Sequence, residues 1–158
     1  MKNETKEFID SHIIPTAIRL LKSDGFLTPV CFFIDEESNN SFVNQLSFAD
    51  DETKAQSIRS THIKAHKVGS DVLVYVTEAW MSTHKREEYE EGGFVRPSED
   101  PERREAIVVT IAAKSGERMV ISYPFTREEG QIIIDETKKE EHKDFDSIFT
   151  DGIWNETT

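Results

Sequence analysis

Apolar residues recur at three- and four-residue spacing through the first stretch, TKEFIDSHIIPTAIRLLKSDG. There Phe8, Ile9, Ile13, Ala17, Ile18 and Leu21 form one stripe of an amphipathic helix. Pro15 falls inside it and predicts a kink or two abutting helices, because proline lacks an N–H and clashes one turn back. Ser23-Asp24-Gly25 supplies the stop. The period then changes to two. PVCFFID and SFVNQLSFA, separated by EESNN, predict a β-hairpin whose second strand keeps one wet face.

A second helix is expected over DDETKAQSIRSTHIKAHKVG. Asp50 or Asp51 caps it, Ala55, Ile58, His62 and Ala65 share one face, and Gly69 ends it. DVLVYVTEAW is almost continuously apolar and reads as a central strand covered on both faces. About 25 mostly charged residues follow, MSTHKREEYEEGGFVRPSEDPERRE, and loops of that length are uncommon without a function. AIVVTIAA and RMVISYPF make a hairpin around Gly116, and QIIID adds a short edge strand.

The order predicts an α+β fold: a mostly antiparallel sheet of about five to six strands with two main helices, packed on one of its faces. The hairpin–helix–strand crossover is the one connection expected to set two strands parallel. A chain of 158 residues fits a single domain, 1–158. Its acidic segment, 135–158, holds eight acids and three lysines. Phe145, Ile148, Phe149, Ile153 and Trp154 give that segment anchors for docking as a short helix on the body, or on a partner. Trp154 near the end is also compatible with a homodimer.

Charge narrows the function classes. Nineteen basic and 31 acidic residues leave a net charge of −12, which disfavours phosphate backbones, so no nucleic-acid partner is expected. The acidity serves solubility, or lets the chain occupy a basic surface as an inhibitor or phage-type regulator would. No apolar run reaches the roughly 18 to 20 residues of a membrane span, and the charged opening reads as no signal peptide, so a cytoplasmic protein without a membrane partner is expected. Cys31, the one cysteine, lies in an apolar run and reads as a buried small hydrophobe.

Three places carry candidate chemistry. In RPSEDPERRE, Asp100-Pro101-Glu102 reads as a one-turn helix start, whereas Arg96, Arg103 and Arg104 have no backbone reason to be there. They serve a salt-bridged loop, or they grip an anion or an acidic partner through their planar forks. Glu78 shares a face with Val74, Val76 and Trp80 if the strand alternates. An acid there is wet at the strand end or needs a partner, with Arg96, Arg103 and His84 as candidates. His62 and His66 stand one helical turn apart, a metal-ligand spacing. A third ligand would come from Asp71, Glu78 or His84, and such a site would suit a small metal-dependent hydrolase. The simpler reading of His62 is a histidine at the core edge. No phosphate loop, dinucleotide glycine pattern or nucleophile elbow is present, and no cofactor is expected.

The segment DVLVYVTEAWM, a variable charged loop, RPSEDPERREAIVVTI and the hairpin after it resemble a family of small bacterial and phage hypothetical proteins, over roughly Asp71 to Phe125. The resemblance implies that the Glu78–Trp80 and Arg96–Glu105 segments belong together, and it brings no catalytic residue. The reading on balance is a soluble, non-catalytic binding or protein-interaction module. Its expected contacts are an unknown protein partner or a small anion at Glu78, Trp80, Arg96, Arg103 and Arg104.

Overall fold

The computed structural model describes residues 1–81, 103–143 and 149. The N-terminal stripe forms one continuous helical rod in three parts: α1 (Asn3–Phe8), a π-helical turn (Ile9–Ile13) and α2 (Ile14–Asp24). Pro15 explains the middle part. The wider turn, closed by the Ile14 N–H on the Ile9 carbonyl, makes room for a ring that an ordinary helix would drive into the preceding turn. Gly25 ends α2 at φ 80°, a left-handed backbone that only glycine adopts without cost.

Two strands follow, β1 (Val30–Asp35) and β2 (Asn40–Gln45), and then α3 (Asp51–Val68). Asp50 caps α3 by accepting from the Thr53 N–H at 2.7 Å. The remaining strands are β3 (Val72–Met81), β4 (Arg104–Ala113), β5 (Arg118–Glu128), β6 (Gln131–Ile134) and β7 (Glu140–Lys143). The sheet runs β2-β1-β3-β4-β5-β6, with β7 also on β5. Every pairing is antiparallel. β2 and β3 both run against β1, so the crossover through α3 sets them in one direction with β1 between them.

The α+β architecture is as expected, but the helices are not on one face. Val72, Val74, Val76, Ile107, Val109 and Ile111 pack with Ile9, Ile13, Ala17 and Leu21 of the N-terminal rod. The alternate residues Leu73 and Tyr75 pack with Cys31, Phe33, Leu46 and Ala65, the last from α3. A strand as apolar as β3 must be covered twice, and the period of two hands one layer to each helical element.

Three further expectations change. Ala55 is exposed, and the buried residues of α3 are Ile58, Thr61 and Ala65 with His62 at their edge. β2 is wet on both faces, because it lies at the sheet margin; Phe42 and Val43 remain 43% and 54% exposed. β7 is a strand without an apolar residue, held by its ladder with β5. No helix among the described residues is long and apolar enough to cross a membrane.

Candidate functional site

The sheet end formed by β3 and β4 gathers most of the predicted contact residues. Trp80 stands opposite Glu105, and Met81 opposite Arg104. Strand alternation places Glu78 and Trp80 on the α2 face, and Glu105 with them. Arg103, immediately before β4, lays its guanidinium over the Trp80 ring at 4.4 Å from the centroid. Such stacking attracts the cation to the ring face and holds both side chains in one geometry. Trp80 is still 44% exposed, so the pair presents a flat aromatic and cationic surface to solvent. Beside it, Glu78, Ala79, Trp80 and Glu105 line an open hollow of about 350 Å³.

Glu78 is half-buried, and among the described residues its partners are Leu27 and Arg127, not Arg103. One carboxylate oxygen accepts the Leu27 N–H, just beyond the end of α2. The other lies 4.0 Å from Arg127 Nη2. Arg127 is the hub of this corner. Its Nε donates to Glu105 at 2.9 Å and its Nη1 to the Gly25 carbonyl at 2.7 Å, while its guanidinium lies 5.5 Å from the Phe125 ring centroid. Burial nonetheless holds the Glu78 pKa above the usual carboxylate range. The Leu27 N–H and Arg127 pull it down, and Glu105 adds to the rise. Sequence reasoning missed Arg127 because nothing local distinguishes it. Only the β4–β5 register, which opposes Glu105 and Phe125, carries it towards Glu78.

Arg104 falls on the opposite face from Trp80. With Met81, Pro124, Thr137, Lys138, Lys139 and the acid Glu140 it lines a hollow of about 710 Å³. The hollow is not purely cationic, since Lys138 lies 3.8 Å from Asp135 and Lys139 lies 2.9 Å from Glu141. Arg96 and His84 lie outside the described residues.

The histidines of α3 do different work. The His62 Nε2–H donates to the Phe149 carbonyl at 2.9 Å, and a nitrogen donating there cannot ligate a metal. The Phe149 ring packs 4.9 Å from Tyr75 and 6.0 Å from Phe48, with Lys54 over both Phe48 and Phe149. His66 is exposed near the end of α3. Asp71 accepts the Glu36 N–H at 2.9 Å. It lies about 23 Å along the strand from Glu78, at 3.3 Å per residue, so the two acids cannot complete one site. Among the described residues no group of three or more His, Cys, Asp and Glu side chains is placed to hold a metal ion. Cys31 is buried, and burial pushes its thiol well above the ordinary range, which keeps it protonated and unreactive.

Neither a search of curated proteins nor one of solved structures finds a match. A family model does match, over residues 1–157, nearly the whole chain and well beyond the stretch in which the sequence resembled phage proteins. The chain therefore belongs to the family described as bacteriophage lambda protein ea47.

Proposed function

We propose that the chain is a non-catalytic protein-interaction module whose contact surface is the Trp80–Arg103 end of the sheet. One observation carries this reading: a half-exposed tryptophan held flat by an arginine, beside a hollow edged by acids. Tryptophan and arginine dominate the energetics of protein interfaces, because each offers a large rigid surface together with polar reach. Arg127 supports the pair from behind by tying Glu105, which faces Trp80 across the ladder, to the end of α2. Residues 1–158 act as one domain in this reading, and the acidic segment 135–158 docks on the body, with Phe149 as one anchor.

A second reading has one observation in its favour. The hollow at Arg104, Lys138 and Lys139 suits a small anion, with Thr137 also on its wall. One experiment separates the two. Tagged chain is expressed in phage-infected cells as wild type, as Trp80→Ala with Arg103→Ala, and as Arg104→Ala. Captured proteins are quantified, and each purified form is titrated with inorganic phosphate. The expected result is a captured protein whose yield falls at least about tenfold in the Trp80/Arg103 variant alone, the loss of one interface hot spot of ~1.4 kcal/mol or more. Equal yields from all three forms would refute the contact surface. Phosphate binding lost only in Arg104→Ala would support the anion reading.

A further inference from the structure

We infer that the chain forms a two-fold dimer by pairing β2 with β2 of a second copy, independently of the Trp80 surface. β2 is an edge strand with β1 as its one neighbour among the described residues. Proteins blunt such edges with charges, prolines, bulges or a covering segment, because unpaired N–H and C=O groups recruit other strands. Among the described residues β2 has none of these protections. Asn40–Gln45 contains no charged residue and no proline in a chain that is 32% charged, and five of its six residues are exposed.

The geometry fixes the register. The Leu46 N–H donates to the Pro29 carbonyl at 2.9 Å, so Leu46 turns its backbone groups towards β1. In an antiparallel ladder inward and outward groups alternate, so Asn44 and Phe42 also face β1 while Gln45, Val43 and Ser41 face out. The Ile34 carbonyl agrees: it accepts from Asp71 on the β3 side, which leaves Ser41, opposite Ile34, pointing away from β1. A two-fold axis perpendicular to the sheet keeps each face on its own side and pairs residues of like parity. Centred on Val43, it sets Val43 against Val43 of the second copy, and Ser41 against Gln45 in both senses. That gives three hydrogen-bonded pairs, about six bonds. A shift of two residues either way shortens the ladder.

Charge selects the occupant. Each copy carries −12, and two copies avoid like-charge contact where the meeting strand is neutral. Both faces of the edge are apolar enough to add burial. Val43 shares the α2 face with Phe32 and the cleft that Leu20 and Phe26 line, while Phe42 stacks on Phe33 at 5.0 Å on the α3 face.

The test uses the full chain. Light scattering over about 1 to 100 μM brackets the affinities of such interfaces. The wild type is expected to reach about twice the 18.2 kDa of one chain. Val43→Glu and Val43→Lys, each putting like charges opposite one another, are expected to remain monomers with unchanged circular dichroism, and an equal mixture of the two to recover the dimer. Hydrogen exchange on the wild type reads the register without any variant. The amides of Ser41, Val43 and Gln45 slow as concentration rises, while those of Phe42 and Asn44, already bonded to β1, do not change. A wild type that stays monomeric overturns the proposal and leaves the edge to a foreign strand. A mixture that fails to dimerise, or protection that does not alternate along β2, overturns it as well.

Discussion

Replacing Arg127 with methionine isolates the electrostatics of the Glu78 corner, because methionine keeps an unbranched apolar stem over the Phe125 ring. Three interactions are lost: the 2.7 Å bond to the Gly25 carbonyl, the 2.9 Å pair with Glu105 and the 4.0 Å approach to Glu78. The bond to Gly25 contributes about 1 kcal/mol. The Arg127 side chain is 41% exposed, so solvent screens both carboxylate pairs, which together add about 0.5 to 1 kcal/mol. The expected loss at pH 7 is thus about 2 kcal/mol. With an unfolding entropy of about 0.33 kcal/mol per kelvin for a chain of this length, Tm falls by about 6 °C.

The pH dependence follows from Glu78. Its folded pKa is raised, so its contribution to stability is full below the unfolded carboxylate value and is lost as pH rises through the folded one. Removing Arg127 removes one of the influences that hold the folded value down, which deepens that loss at neutral pH. Below the carboxylate range Glu78 is neutral in both states, and mainly the Gly25 bond remains to be lost, about 1 kcal/mol. Thermal melts followed by circular dichroism are expected to show the variant's deficit shrinking between pH 7 and pH 4. Glu78→Gln in the same background should flatten that difference. A deficit under about 1 °C at pH 7, or one that grows on acidification, would refute the role given to Arg127.

Tyr75 and Phe149 give two simpler tests. The Tyr75 hydroxyl is buried and makes no hydrogen bond among the described residues. Tyr75→Phe is therefore expected to be neutral or stabilising by up to ~1 kcal/mol in urea titration, and a loss of ~1 kcal/mol or more would reveal a bonded hydroxyl. Phe149→Ala removes the ring that packs on Tyr75 and Phe48 but leaves the backbone carbonyl available to His62. About 2 kcal/mol is expected for a half-buried aromatic, together with faster proteolysis near the C-terminus. An unchanged protease pattern would show that Phe149 does not anchor the segment.

The sequence determined the elements and their order as far as β6, but not β7, which has no apolar residue to announce it. Apolar periods of 3.6 and 2 located the N-terminal helix, α3, the central strand and the hairpins, and Asp50, Gly25, Gly69 and Gly116 marked ends and turns through local backbone chemistry. Pro15 announced a local irregularity, though not its π-helical form. The stacking of Arg103 on Trp80 was legible only as far as both segments were expected to belong together. Tertiary structure decided the rest, for reasons no local pattern encodes. Which face each helix covers depends on the chain's path across the sheet, so the two apolar sets of β3 received one helical layer each. The partner of Glu78 depends on register: Arg127 lies 49 positions away in sequence and reaches the acid only because β3, β4 and β5 align. His62 had a metal-ligand spacing in one dimension. In three dimensions its Nε2–H donates to the carbonyl of Phe149, whose ring packs on Tyr75.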